Sequence, residues 1–372
     1  MTDKRKKKYT RYDIYMAAAA ILFTVSIILT VCAVKAPGMA QQYSIHIYPL
    51  LVSTVGRISG IFPFSVTEIL LYLLAAALLL SSGRAIWKMA RGAKKGEALF
   101  IWFSRIFLAA GILVFLYVAA CGINYHRAPF SKEAGIETRE YTAEELKEIC
   151  LWLTQEVNDR AQSAERDEQG QLLLSTAESL SETERAAVEA MENLGETFSC
   201  LEGYYPHPKG ILVSEILSYQ GLTGIYTPFT VEANYNADMT AYNIPFTLCH
   251  ELSHLRGFMQ EQEANFIAFL ACTESDRIEF QYSGYLSGWV YCMNTLYEAS
   301  YESWQEVRAQ LCAEAEPDLK ANNAFWASYD GKVAEVANQV NDTYLKINGQ
   351  EDGVQSYDRM VDLIVAYFYE RL

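Results

Sequence analysis

The sequence predicts a membrane-anchored, mainly α protein: three N-terminal transmembrane helices, then an extracytoplasmic α+β domain that carries a small β-sheet. Two observations lead to that class. The 372 residues are 51% hydrophobic with a formal net charge of −15, which is apolar for one globular unit and long enough for more than one domain. The charge is also divided. Residues 1–121 hold 14 of the 30 Lys and Arg but only 4 of the 45 Asp and Glu, so that stretch carries +10 and the remainder −25.

The spans come first. Ile14 to Val34 and Ile106 to Ile123 hold no charged residue, and Pro63 to Ser82 holds only Glu68; each is long enough to cross hydrocarbon as a helix. Spans at about 14–34, 63–82 and 106–123 define a membrane domain over 1–123 and leave 124–372 as a second domain. A signal peptide is the competing reading of the first span, but its apolar run exceeds a signal core and no small-residue cleavage pattern follows. Lys4, Arg5, Lys6, Lys7, Lys8 and Arg11 precede the first span, and Arg84, Lys88, Arg91, Lys94, Lys95 and Arg105 fill the second connection. Both flanks are expected in the cytoplasm, which makes this a multi-pass cell-membrane protein with everything after Ile123 outside. The first connection, Lys35 to Phe62, carries only Lys35 and Arg57 as basic residues. It reads as an amphipathic segment hugging the outer membrane surface.

In the second domain, Thr142 with Glu145 forms a capping box, and Leu146, Ile149, Leu153 and Val157 recur at helical spacing behind it. A polar break follows over Ala161 to Gln171. Two β-prone runs, Ile211 to Val213 and Tyr226 to Tyr235, are separated by Gly221 and Gly224 and interrupted by Pro228, predicting a small sheet or hairpin. Beyond Pro245 the pattern is helical to Leu372, with Gly257, Gly349 and Gly353 as stops. There is no internal repeat and no nucleotide-binding loop.

Residues 249–265 read CHELSHLRGFMQEQEAN and contain HExxH in a chain with five histidines, a pattern that arises by chance in on the order of one such chain in a hundred or fewer. Pro245 suits a first helical turn and Gly257 suits its left-handed end. His250 and His254 then share one face, where two imidazoles can hold a zinc ion, with Glu251 beside a water as general base for hydrolysis. The favoured third ligand is Glu263. It opens the run EANFIAFLAC, in which Ala264, Ile267, Ala268 and Ala271 have helical spacing, so a helix folding back after Gly257 aims it at the metal. Glu261 and His207 are the alternatives. The bland reading of both carboxylates is a solvated acidic first turn.

Four segments, GIYTPFTVEANYN, PFTLCHELSHLRGFMQEQEANFIAFLAC, YSGYL at 282–286 and NDTYLKINGQEDGVQSYDRMVDL, carry a resemblance that covers most of the chain. It is to a domain-of-unknown-function family of bacterial membrane-anchored proteins, regarded as zinc metallopeptidases related to the gluzincins. The resemblance implies a zincin-like domain whose two motif histidines pair with a Glu on the following helix. Here the gap between motif and Glu is short, so a tight turn must bridge it.

Tyr282, Tyr285, Tyr344 and Tyr357 are candidate donors to a tetrahedral oxyanion, against ordinary packing for a chain with 25 tyrosines. Arg256 is a weaker one, because the neighbouring Gly257 suggests that it caps the helix. Asn234 and Asn236 either lie along a substrate groove, where an edge strand pairs a peptide, or form turns. Cys249 and Cys272 read as core thiols, and no CxxC spacing supports a second metal site.

The leading expectation is therefore a membrane-anchored zinc metallopeptidase whose partners are a peptide or protein substrate and the lipid bilayer. The alternative is a catalytically inactive zinc-binding membrane protein that serves as an envelope sensor or partner-binding module; a non-enzymatic scaffold with an incidental motif is a third. Intramembrane proteolysis is disfavoured by Arg256, Gln260, Glu261 and Gln262 around the motif. The acidic balance argues against nucleic acid.

Overall fold

A computed structural model describes residues 3–174 and 180–371. The side chains of Lys4, Arg5, Lys6, Lys7 and Lys8, on which the orientation argument draws, lie outside that description. The chain begins with α1 (Asp3–Lys35) and α2 (Pro37–His46), followed by α3 (Val66–Ala90) and α4 (Lys95–Tyr117). Among the described residues, three stretches are long and apolar enough to cross a membrane: Arg11–Lys35 within α1, the whole of α3, and Lys95–His126, where α4 continues through a π turn. α1 and α4 pack along each other. Gly111 permits their close crossing, because a Cβ there would lie 3.3 Å from the Cα of the buried Ala19. α3 turns Leu70, Leu71, Leu73, Leu79 and Leu80 outward, as a lipid-facing helix does.

The connection after α1 is not free amphipathic chain on a membrane surface. Tyr48 and Val52 are about as buried as any residue, and the Tyr48 hydroxyl donates to the Leu255 carbonyl at 2.8 Å. The main hydrophobic core takes in these two residues together with Ala120, Cys121 and Tyr125 from the end of the third span. The other side of the connection does remain apolar and outward, with Ile47, Leu50, Ile58 and Ile61 exposed.

The rest of the chain forms α5 (Ala143–Ser163), α6 (Leu180–Thr197), β1 (Lys209–Gly210), β2 (Gly224–Thr227), β3 (Glu232–Tyr235), α7 (Asn243–Leu255), α8 (Glu261–Thr273), α9 (Ile278–Ala299), α10 (Tyr301–Arg308), α11 (Glu316–Ala327), α12 (Lys332–Ile347) and α13 (Met360–Phe368). The capping box at Thr142 is complete in both directions and starts α5, whose Leu146, Ile149, Leu153 and Val157 are all buried. The sheet has the order β1-β3-β2, with β1 parallel to β3 and β2 antiparallel to it, Gly224 opposite Tyr235 and Thr227 opposite Glu232. β2 is thus an edge strand. α7 lies against β2 and β3 and is enclosed by α6, α8 and α9. Every residue from Ile244 to Leu255 is buried, so α7 is a central helix, apolar all round except where it carries the motif.

Candidate metal centre

α7 holds His250 and His254 one turn apart, their rings 4.5 Å between centroids and nearly perpendicular. The helix stops at Leu255 because Gly257 adopts φ 96°, a left-handed conformation that costs glycine little. The reversed chain brings the Phe258 carbonyl within 2.8 Å of His254 Nδ1. With Nδ1–H donating to that carbonyl, Nε2 keeps its lone pair and faces inward, the usual supporting contact of a ligating imidazole. Gln260 precedes α8, and the first residue of α8 is Glu261. Its Oε2 lies 3.3 Å from His250 Nε2 and 3.4 Å from His254 Nε2. One donor atom from each of the three residues falls within 4.8 Å of the others, and all three are buried.

The structure brings Glu261, rather than Glu263, to the histidines. Two residues turn a helix by about 200°, so once Glu261 faces α7, Glu263 must face away. Glu263 is buried at the opposite side, where its carboxylate accepts from the Ser131 N–H at 2.8 Å and from the Ser131 hydroxyl at 2.9 Å. It anchors the short helix Phe130–Glu133. His207 is exposed just before β1 and belongs to no ligand group.

The donor set of two imidazole nitrogens and one carboxylate oxygen suits zinc. Three atoms in the cluster are buried without a hydrogen-bond partner: His250 Nδ1, Glu251 Oε2 and Glu261 Oε2. Buried polar atoms left bare are rare, and a cation between the two histidines and Glu261 would give the last of them a partner. Burial works against the Glu261 charge, yet the imidazoles outweigh it and hold the carboxyl down at about 2. Burial likewise opposes charge on His254, and Glu261 overcomes it, taking that imidazole up to about 9, while burial and the neighbouring His254 push His250 down. A metal bound here would compete with the proton that Glu261 favours on His254.

Glu251 sits beside this group. Burial pushes its carboxyl up to about 8, against the pull of His254 and of the Tyr226 N–H. β2 runs directly over it: a Cβ on Gly224 would come within 2.5 Å of Glu251 Oε1. The sequence signal was a glycine at the head of a β-prone run, which marks close approach as readily as a turn.

Two cavities, of about 500 and 380 Å³, meet at Leu222, Gly224, His250, Glu251, Asn341 and Tyr357. The smaller has a polar wall with Asn243, Asn265, Asn322 and Asn338; the larger is walled by Ile225, Pro228, Phe229, Val340 and Tyr344. Among the four tyrosines, Tyr357 and Tyr344 line these cavities. Tyr282 is instead wholly buried and donates to Asp318 Oδ2 at 2.7 Å, and Tyr285 packs against Trp152 and Phe269. Asn234 and Asn236 are fully buried in and after the central strand, bonded to Thr227 and Ser218 respectively; neither lines the cleft. The Arg256 guanidinium lies over Gly203, and Arg256 caps α7. Cys249 and Cys272 are core thiols with their sulfurs 3.7 Å apart.

Fold and site together define a membrane-associated, mainly helical protein with a buried His–His–Glu cluster beside a second carboxylate, Glu251, one of whose oxygens has no partner. The chain belongs to the family described as "Protein of unknown function (DUF3810)", whose model matches residues 43–365. No curated protein and no solved structure matches the chain.

Proposed function

We propose that the protein is a membrane-anchored zinc metallopeptidase with a zincin-like domain, using His250, His254 and Glu261 as metal ligands and Glu251 as general base. The observation that carries this reading is the convergence of those three donors next to the buried Glu251, whose Oε2 has no partner, beneath an edge strand. A structural metal site has no use for such a carboxylate. When bound, zinc supplies a Lewis acid for the scissile carbonyl and lowers the pKa of water. Glu251 accepts a proton from the attacking water and returns it to the leaving nitrogen. β2 offers its free edge to an extended peptide, and Tyr357 is the tyrosine best set to donate to the oxyanion.

Glu251→Gln in the full-length protein is expected to retain zinc and lose about 10²- to 10⁴-fold in turnover on a peptide library, measured by elemental analysis and mass spectrometry of products. Wild-type turnover in that variant would sink the mechanism. A zinc-loaded wild type that cuts nothing would favour the partner-binding alternative. The basic flanks support a domain outside the cytoplasm. Gln162→Cys, at an exposed position, should react with an impermeant thiol reagent in intact cells, and labelling only after lysis would reverse the orientation.

A further inference from the structure

The wall of the larger cavity is partly built by the membrane region itself. Tyr117, the last residue of α4 within the third candidate span, lines the same cleft as His250, Glu251 and His254. Two other elements bind the cleft to span ends. The turn between β2 and β3 sits on the start of α3, where the Val66 and Thr67 N–H groups donate to Glu232 at 3.1 and 2.9 Å. The end of α12 sits on the end of α4, where the Tyr117 hydroxyl donates to Asn348 Oδ1 at 2.8 Å. Between these two attachments the rim is apolar and open, with Ile225, Phe229 and Val340 exposed.

α12 extends this surface. Val333, Val336, Val340, Tyr344 and Ile347 recur every three or four residues along it, and Val333, Val336 and Ile347 are 58, 59 and 79% exposed. Glu335, Gln339, Asp342 and Lys346 occupy the opposite face. A helix with an apolar stripe and a charged back, fastened at one end to a membrane span, lies in the lipid–water boundary with its stripe toward the acyl chains. The stripe is continuous with the cleft, because Val340 and Tyr344 belong to both.

We infer that the mouth of the cleft rests on the bilayer, seated by α12 and the β2–β3 turn, and that its occupant is an apolar stretch of a polypeptide held in the same membrane. The substrate class rests on the peptidase reading; the seating does not. A membrane-held chain reaches such a mouth at high effective concentration, whereas a soluble peptide must first partition to the surface.

The test uses the full-length protein in nanodiscs of phosphatidylethanolamine and phosphatidylglycerol. A dansyl-bearing residue in place of Val336 is expected to shift to the blue and be quenched by brominated lipid, and the same probe in place of Glu335 is not. Equal, water-like emission at both positions overturns the seating. For the occupant, a benzophenone side chain in place of Ile225 is photolysed with a Leu/Ala-rich peptide, either palmitoylated or free. The expected result is capture of the palmitoylated form that falls about tenfold in Val333→Glu/Val336→Glu, with capture of the free peptide unchanged by the double substitution. Unchanged capture of the anchored peptide in the double variant overturns the proposal. Because both readings are of position and binding, absence of hydrolysis by the zinc-loaded wild type would remove the substrate role of the captured peptide and leave the seating and the capture standing.

Discussion

Two buried charged groups lie on opposite sides of the small sheet's neighbourhood, and they are finished differently. Lys209 and Glu232 form an ion pair at 2.5 Å in which Lys209 also donates to the Ser59 carbonyl, and Glu232 accepts from Val66, Thr67 and Thr230. Both of its oxygens are occupied. This group fastens the sheet to the start of α3 and to the preceding connection. In the His250–Glu251–His254–Glu261 group, by contrast, His250 Nδ1 and Glu251 Oε2 have no partner, and Glu261 Oε2 has only the two imidazole nitrogens at 3.3 and 3.4 Å. A completed cluster holds elements together, while an incomplete one of metal-ligand composition keeps binding capacity for something else. The chain thus holds a completed and an incomplete charge cluster that composition alone would not separate.

Breaking the completed cluster gives the largest stability effect. Lys209→Met leaves Glu232 buried without its cation and is expected to cost about 3–5 kcal/mol, read as a lowered apparent unfolding midpoint in detergent. Loss within error of zero would mean that the two clusters do not differ as described. Glu251→Gln is the counterpart: it removes a carboxylate that lacks a partner on one oxygen, so metal-free protein should lose less than about 1 kcal/mol or gain slightly. A loss as large as that of Lys209→Met would make Glu251 structural.

A pH-dependent effect sharpens the contrast at a third carboxyl. Burial pushes Glu184 up to about 7 from 4.5, although it accepts from the Tyr235 hydroxyl at 2.9 Å. Its folded state binds the proton more tightly than its unfolded state, so this contribution is full below about pH 4.5 and is lost as pH rises toward 7. Wild type should lose roughly 1–2 kcal/mol over that window relative to Glu184→Gln, a moderate figure because the side chain is partly exposed. Parallel pH profiles for the two proteins would contradict the assignment.

Much of this was legible in the sequence where the determinants are local. The Thr142 capping box, the His250 and His254 spacing and the Gly257 stop each depend on a few adjacent residues, and the structure keeps all three. What failed depended on phase or on distant partners. Choosing Glu263 required α8 to begin at that residue; it begins two residues earlier, and the difference turns the carboxylate to the other face. Ser131, which receives Glu263, is 132 positions away in sequence. The connection after α1 looked like a membrane-surface segment because its composition is apolar, and only the Tyr48 hydroxyl's contacts with Leu255 and Tyr226 reveal that one side is docked. Asn234 and Asn236 were read on an edge because the β-prone run could not say which strand would be central.

The central claim is that the incomplete cluster is a zinc site built from His250, His254 and Glu261, and zinc titration of three full-length proteins tests it most directly. Wild type and Glu263→Gln are expected to bind one zinc with affinities within a few-fold of each other, and Glu261→Gln to bind at least about tenfold more weakly. Weakened binding in Glu263→Gln together with unchanged affinity in Glu261→Gln would contradict the account.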